Sequence, residues 1–218
     1  MAGNSAIVLL SGGQDSATCL SLACRAHESI LAIAFDYGQR HRIELEKAEK
    51  LSSLAGCPLR VIDATFISQL SDNALTSDTL PITTEPGQLP STFVPGRNLF
   101  FLSMAAVIAR QHKIDTIYTG VCQTDFSGYP DCRDDFIKSA EQTINLAMDT
   151  RLSIKTPLMH LTKSETVLLM KAQGTLSWYA HTHTCYEGHV PACGQCPACQ
   201  LRLNGFREAN INDPLPYI

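Results

Sequence analysis

The sequence predicts an α/β protein: a Rossmann-like parallel sheet with helices on both faces, and a small cysteine-rich region at the C-terminal end. Three observations carry this prediction. Strand-like and helix-like segments alternate from about residue 7 to residue 174, the pattern that builds parallel sheets. The first strand runs into a double-glycine turn that opens a helix. Four cysteines fall within residues 185–199, after the alternation has stopped. The division implied is residues 1–176 as the α/β domain and residues 177–218 as a metal-binding region packed on it.

Ile7, Val8, Leu9 and Leu10 form a short apolar run broken by Ser11, Gly12 and Gly13, which suits a buried parallel strand entering a tight turn. A helix follows from about Asp15 and Ser16 to His27. Ile30 to Phe35 is the second strand. Residues 41–55 read as a helix with Ala48, Leu51 and Ala55 on one face and Gly56 as its stop. Leu59 to Asp63 is the third strand. Residues 97–112 are helical and apolar nearly all round, which predicts a buried helix. Thr116 to Gly120 is the fourth strand. Asp134 to Met148 forms a helix with Ile137, Ala140, Ile144 and Ala147 on one stripe. Ser153 to Thr156 is a short fifth strand. Thr162 and Glu165 have capping-box spacing ahead of a last helix that stops at Gly174. Residues 66–96, rich in Ser, Thr and Pro, form a long connection.

The chain has 218 residues, long enough to bury roughly 70% of its unfolded surface without disulfides. Its 17 Lys and Arg against 21 Asp and Glu leave a net charge of −4. That balance argues against a protein that coats nucleic acid or an anionic membrane, since both reward an excess of positive charge. No secretory signal is expected, and no run approaches the ~20 apolar residues of a membrane helix. The nine cysteines are an odd number, so they cannot all pair. A reducing, cytoplasmic setting is expected, with cysteines kept for metal or packing.

Ser11-Gly12-Gly13-Gln14-Asp15-Ser16 lies between a strand and a helix, where two glycines let backbone N–H groups converge on an anion and the helix N-terminus adds its dipole. It is not a Walker loop, because the spacing differs and no Lys follows the second glycine. It is not a dinucleotide fingerprint, because the third glycine is missing. Cys185, Cys193, Cys196 and Cys199 have the spacing C-x7-C-x2-C-x2-C, and Gly194 permits the turn between ligands. Four thiolates make a closed tetrahedral zinc site. An iron–sulfur cluster is the alternative, but its sequence run needs a further cysteine downstream of Cys199, and none follows. His181, His183 and His189 lie close by and could be ligands, but with four cysteines already present they read as surface or substrate-facing residues. Cys19, Cys24, Cys57, Cys122 and Cys132 read as small packing residues.

Further polar blocks follow the strands. Asp36-Tyr37-Gly38-Gln39-Arg40-His41 comes after the second strand, Phe93-Val94-Pro95-Gly96-Arg97-Asn98 opens the apolar helix, and residues 125–133 (DFSGYPDCR) come after the fourth strand. The glycine turn resembles the pyrophosphate loop (PP-loop) of the ATP pyrophosphatases. Together with Thr156-Pro157-Leu158, Lys163-Ser164-Glu165 and the cysteine spacing, the blocks resemble the 7-cyano-7-deazaguanine synthase family of queuosine biosynthesis over residues 6–204. The resemblance implies a PP-loop fold and a ligase that converts 7-carboxy-7-deazaguanine and ammonia to the nitrile. ATP, with magnesium, would adenylate first the carboxylate and then the amide, releasing AMP and pyrophosphate. It implies one structural zinc on the four cysteines, a homodimer, and no direct contact with nucleic acid or membrane.

By the same resemblance the nucleotide segment is Val8, Leu9, Leu10, Ser11, Gly12, Gly13, Gln14, Asp15, Ser16, Ala17 and Thr18. Asp15, Ser16, Arg97, Arg133 and Lys163 are the candidate catalytic residues. For the three cations the alternative is an ordinary surface ion pair. Tyr37, Gln39, Arg40, Tyr129 and Asp131 are the candidate substrate contacts. Two other readings stay open. A tRNA-thiolating enzyme of the same superfamily would need a catalytic cysteine pair and a basic RNA surface. A zinc-knuckle nucleic-acid module would need basic and aromatic residues around the cysteines, where residues 181–206 hold one Arg and no Lys.

Overall fold

Strand β1 (Ser5–Leu9) is the centre of a five-stranded, wholly parallel sheet. A computed structural model describes residues 4–40, 42–77, 79–83, 88–124 and 128–218. β2 (Ser29–Asp36) and β3 (Leu59–Asp63) extend the sheet to one side of β1, while β4 (Thr116–Tyr118) and β5 (Ser153–Lys155) extend it to the other, giving the order β3-β2-β1-β4-β5. Ile7 of β1 faces Leu31 on one side and Ile117 on the other. The strand order therefore reverses between β1 and β4, and the carboxyl ends of those strands open the crevice where such sheets bind ligands.

The strand side chains divide by parity. Ile7, Ile33, Phe35, Ile117 and Ile154 pack with α3 (Arg97–His112) and α4 (Asp134–Met148) in one core. Ala6, Val8, Ala32 and Ala34 face the other side, under α1 (Gln14–Ala26), α2 (Ile43–Ala55) and α5 (Lys163–Ala172). Tyr179 and Phe206 join this second core, so α6 (Pro197–Glu208) and the 3-10 turn Leu176–His181 belong to the same layer.

The element boundaries follow local chemistry. Gly56 ends α2 in the left-handed region at φ 67°. The capping box forms as expected: Glu165 N–H donates to Thr162 Oγ1 at 3.2 Å, and Thr162 N–H donates to Glu165 Oε2 at 2.7 Å. β4 is shorter than its apolar run predicts. Thr119 N–H still donates to Lys155 O at 3.0 Å, but Gly120 turns away beneath the start of α1. The all-apolar α3 is not buried all round: Leu99 and Val107 are 41% and 47% exposed, because the helix covers the sheet with one face alone. In the long connection, Thr65–Gln69 form a 3-10 turn.

Candidate active site

The glycine turn stands at the reversal point. Gly12 has φ +83°, and a Cβ there would come within 2.3 Å of Glu44 O on α2, so no other residue fits without moving that helix. Gly120 is constrained in the same way, since a Cβ would sit 2.9 Å from the Asp15 carbonyl carbon. Ser16 Oγ donates to Gly13 O at 3.0 Å, and Ser11 Oγ donates to Ser16 Oγ at 3.2 Å. Among the described residues no side chain caps α1, which leaves its first N–H groups open to an anion. Asp15 Oδ2 accepts from Lys163 Nζ at 2.6 Å, with the lysine side chain 9% exposed. Asp15 Oδ1 and both amide atoms of Gln14 are buried without a hydrogen-bond partner among the described residues. An orphaned carboxylate oxygen beside a turn with open backbone N–H groups is a donor that suits a divalent cation such as magnesium.

These groups border a cavity of about 310 Å³, within the size range of a small-molecule site. Leu9, Leu10, Ser11, Gly13, Gln14, Asp15 and Ser16 line it, as do Tyr37, Gln39, Arg97 and Tyr129. Val8 and Ala17 are buried in the core behind the turn. Thr18 is buried too, sharing a 2.7 Å hydrogen bond with Tyr179 OH. Lys163 reaches the site through Asp15. Asp131 stands behind the wall and accepts the Asn98 N–H at 3.1 Å, which anchors the start of α3 and with it Arg97. Arg133 is exposed at the start of α4, outside the wall. Arg40 lines a smaller adjoining recess of about 20 Å³. His41, Asp125, Phe126 and Ser127 lie outside the described residues.

The wall also holds groups that the motifs did not single out, among them Glu44, Thr184 and Tyr186, while Asn98 and Cys132 come from the motif blocks. Burial pushes the Glu44 carboxyl up to about 7, a rise only partly offset by Arg97. Burial also raises the Tyr37 and Tyr186 hydroxyls. Arg97 lies 5.6 Å from the Tyr37 ring centroid. Burial alone would lower its pKa, but Tyr37, Tyr129 and Asp131 more than reverse that, so it stays charged. No local signal in the sequence marked Glu44, which reads as a solvated acid in the first turn of a helix.

Cys185, Cys193, Cys196 and Cys199 converge with all sulfurs within 4.8 Å of one another, and all nine cysteines of the chain are free thiols. Sulfurs about 2.3 Å from one ion stand about 3.8 Å apart in a tetrahedron. Cys193 and Cys199 Sγ are 3.9 Å apart. Backbone N–H groups of Gln195 and Cys196 donate to Cys193 Sγ at 3.4 and 3.3 Å. Burial would raise the Cys193 thiol, but these donors bring it down to about 7. The donor set fits a tetrahedral metal such as zinc.

The cluster is tied to the glycine turn through residues 182–186. His183 N–H donates to Gly12 O at 2.9 Å, and the His183 ring faces the Cys185 carbonyl rather than the metal site. Arg202, 1% exposed, holds this strap from behind. It pairs with both oxygens of Asp213 at 2.7 and 2.8 Å and donates to Thr182 Oγ1, Thr184 Oγ1 and Tyr179 O. His189 is exposed.

A parallel sheet whose strand order turns back beside a glycine-built strand-to-helix turn defines an α/β protein of the PP-loop fold class. Within that class the assignment is specific: residues 5–210 match the family described as "Queuosine biosynthesis protein QueC", and the chain belongs to it. It is 50% identical over 213 residues to the 7-cyano-7-deazaguanine synthase of Laribacter hongkongensis, covering 96% of this chain and 93% of that protein. It is 49% identical over 205 residues to the enzyme of the same name from Bacillus subtilis, covering 93% and 94%. A 4-thiouridine synthetase solved as an RNA complex with bound ATP shares the fold at 18% identity and a TM-score of 0.53, over 95% of this chain and 51% of that one.

Proposed function

We propose that the protein is a carbon–nitrogen ligase that converts 7-carboxy-7-deazaguanine and ammonia to 7-cyano-7-deazaguanine at the expense of two ATP. A carboxylate oxygen of the substrate attacks the α-phosphorus of ATP and pyrophosphate leaves. Ammonia displaces AMP, giving the amide and a proton. The amide oxygen attacks the α-phosphorus of a second ATP as pyrophosphate leaves, and loss of AMP and of both N–H protons leaves the C≡N triple bond. The observation that supports this reading best is the placement of the glycine turn at the mouth of a cavity that also holds Arg97. The substrate supplies its own nucleophile, so the protein's work is positioning and charge stabilisation.

Ser11, Gly13 and Ser16, with the open N-terminus of α1, grip the β- and γ-phosphates as they depart. Lys163 holds Asp15, whose second oxygen would be a ligand for magnesium. Magnesium, when bound, neutralises phosphate charge and the charge developing on pyrophosphate. Arg97 neutralises the substrate carboxylate or the α-phosphate. Tyr37, Gln39, Arg40, Tyr129 and Asp131 hold the base directly or through neighbours, and Arg133 acts from the rim.

The four cysteines hold one zinc. Their sulfurs stand too close together to occupy the outer corners of an iron–sulfide cube, which favours a single ion. Zinc in such a closed site contributes folding energy. We further propose a cytoplasmic homodimer that acts on the free base before it reaches tRNA. No helix among the described residues is long and apolar enough to cross a membrane.

Purified protein given ATP, magnesium, ammonium and the carboxylated base should form two AMP and two pyrophosphate per nitrile. Formation of ADP and phosphate would overturn the reading. Asp15→Ala should lower turnover at least a hundredfold, as measured by pyrophosphate release.

A further inference from the structure

We propose that Glu44 reads the base, its carboxylate accepting the two parallel N–H donors of a guanine-type edge, the ring N1–H and the 2-amino group. The inference rests on the proposed activity and deepens it. Among the described residues that line the cavity, two carry carboxylates, Asp15 and Glu44. Asp15 belongs to the nucleotide turn, with one oxygen committed to Lys163. Glu44 is a different case. Among the described residues its carboxylate accepts no hydrogen bond and forms no ion pair. Glu44 is half-buried on the cavity wall, and a partly desolvated carboxylate that no protein donor satisfies is best paired by a ligand that brings donors to it.

The surroundings narrow what that ligand is. Arg97 supplies a fixed positive charge in the same cavity and forms no ion pair among the described residues. A guanidinium can only donate, so it takes the acidic substituent. Glu44 can only accept when charged, so it takes donors. Tyr37, Phe101, Tyr129 and Tyr186 add aromatic walls, with Phe101 stacked on Phe35 at 4.1 Å. A flat ring with a carboxylate at one end and paired N–H donors at another satisfies both charges at once.

Adenine alternates donor and acceptor along its pairing edge, so it cannot satisfy a carboxylate with two bonds. A hypoxanthine-type ring offers one donor and leaves one carboxylate oxygen bare. The site would thus reject both by leaving Glu44 underpaired, a strong basis for discrimination. An ammonium ion is the competing occupant of Glu44, since the small recess beside it is of single-molecule size. Arg97 and Arg40 both approach this region, however, and two guanidinium groups oppose a bound cation.

The test is calorimetric titration of the full-length, metal-loaded protein with a non-hydrolysable ATP analogue present. The probes are 7-carboxy-7-deazaguanine and the same compound without its 2-amino group. The wild-type protein should prefer the amino compound by about 10- to 100-fold, the scale of a bidentate pair. Glu44→Gln should weaken binding of the amino compound by a similar factor and lose most of the preference. Glu44→Asp, which keeps both acceptors on a shorter arm, should retain part of the preference. The ATP affinity of both variants should stay within about twofold of wild type, which shows that the fold is intact. Unchanged base affinity in Glu44→Gln would overturn the inference. So would a raised KM for ammonium with base affinity preserved, which would assign Glu44 to ammonia. Failure of the wild-type protein to bind either base would overturn the proposed activity itself.

Discussion

Replacing Gly205 by alanine would drive a wedge between α5 and α6. A Cβ on Gly205 would lie 2.5 Å from Lys163 Cβ, 3.0 Å from its carbonyl carbon and 3.3 Å from its Cα. None of these is the free end of a flexible side chain. Carbon atoms rest at about 3.5–4.0 Å, so the helices must part by roughly 1 Å at this crossing. Overpacking of this kind costs about 1–3 kcal/mol. For a chain of this size that is a fall in Tm of about 2–12 °C. The larger consequence is functional. Lys163 begins α5 and holds Asp15 at 2.6 Å, and misplacement by about 1 Å can cost up to a hundredfold in rate. Gly205→Ala should therefore retain its metal and a cooperative unfolding transition while losing about 10- to 100-fold in pyrophosphate release at 25 °C. Scanning calorimetry and a pyrophosphate assay on the same preparation measure both effects. A lowered Tm with full activity would refute the link between this crossing and Lys163. Unchanged values of both would refute the packing itself.

The other predictions concern the acid, the buried cation and the metal. Glu44 ionises at 4.5 in an unfolded chain and at about 7 in the folded one. Between those values the unfolded chain binds fewer protons, so this residue's contribution to stability declines as pH rises through that window. Glu44→Gln removes the effect, and without substrate it should gain about 1–3 kcal/mol on wild type between pH 5 and pH 8, read as the difference in Tm. A constant difference would refute the shift. Arg202→Met strands the buried Asp213 carboxylate, at a cost of about 3–5 kcal/mol, and should raise the Kd for ATP by loosening residues 182–186. Equal ATP affinity would show that the strap is held without it. Stripping the metal with a chelator should weaken ATP binding as well as lower Tm, because Thr184 and Tyr186 form part of the cavity wall. Metal-free protein that binds ATP normally would refute that coupling.

Much of the fold was legible because the patterns are local. The α3 and α4 boundaries coincide with residues 97–112 and Asp134–Met148, and the capping box at Thr162 is a matter of two side chains three residues apart. The glycine turn and the cysteine spacing were legible for the same reason: each site is built largely within one short stretch. Glu44 was not, since nothing in its neighbourhood marks it as other than a solvated helical acid. Arg202 likewise sits in a helix of ordinary polarity, and only the packing of α6 shows it to be buried. Residues 66–92 remained blank in the sequence, and the structure assigns Leu75 to the cavity wall.

The sequence by itself determined the order of strands and helices, the glycine turn and the grouping of the four thiols, because hydrophobic period, glycine conformation and cysteine spacing act over a few residues. The tertiary structure decided which distant charges meet. Lys163 lies 148 positions from Asp15 yet is hydrogen-bonded to it. His183 is joined to Gly12, and the residues beside the cysteine knuckle thereby become part of the cavity wall. Such pairings depend on how helices cross and where a sheet reverses its order, which are properties of the packed chain.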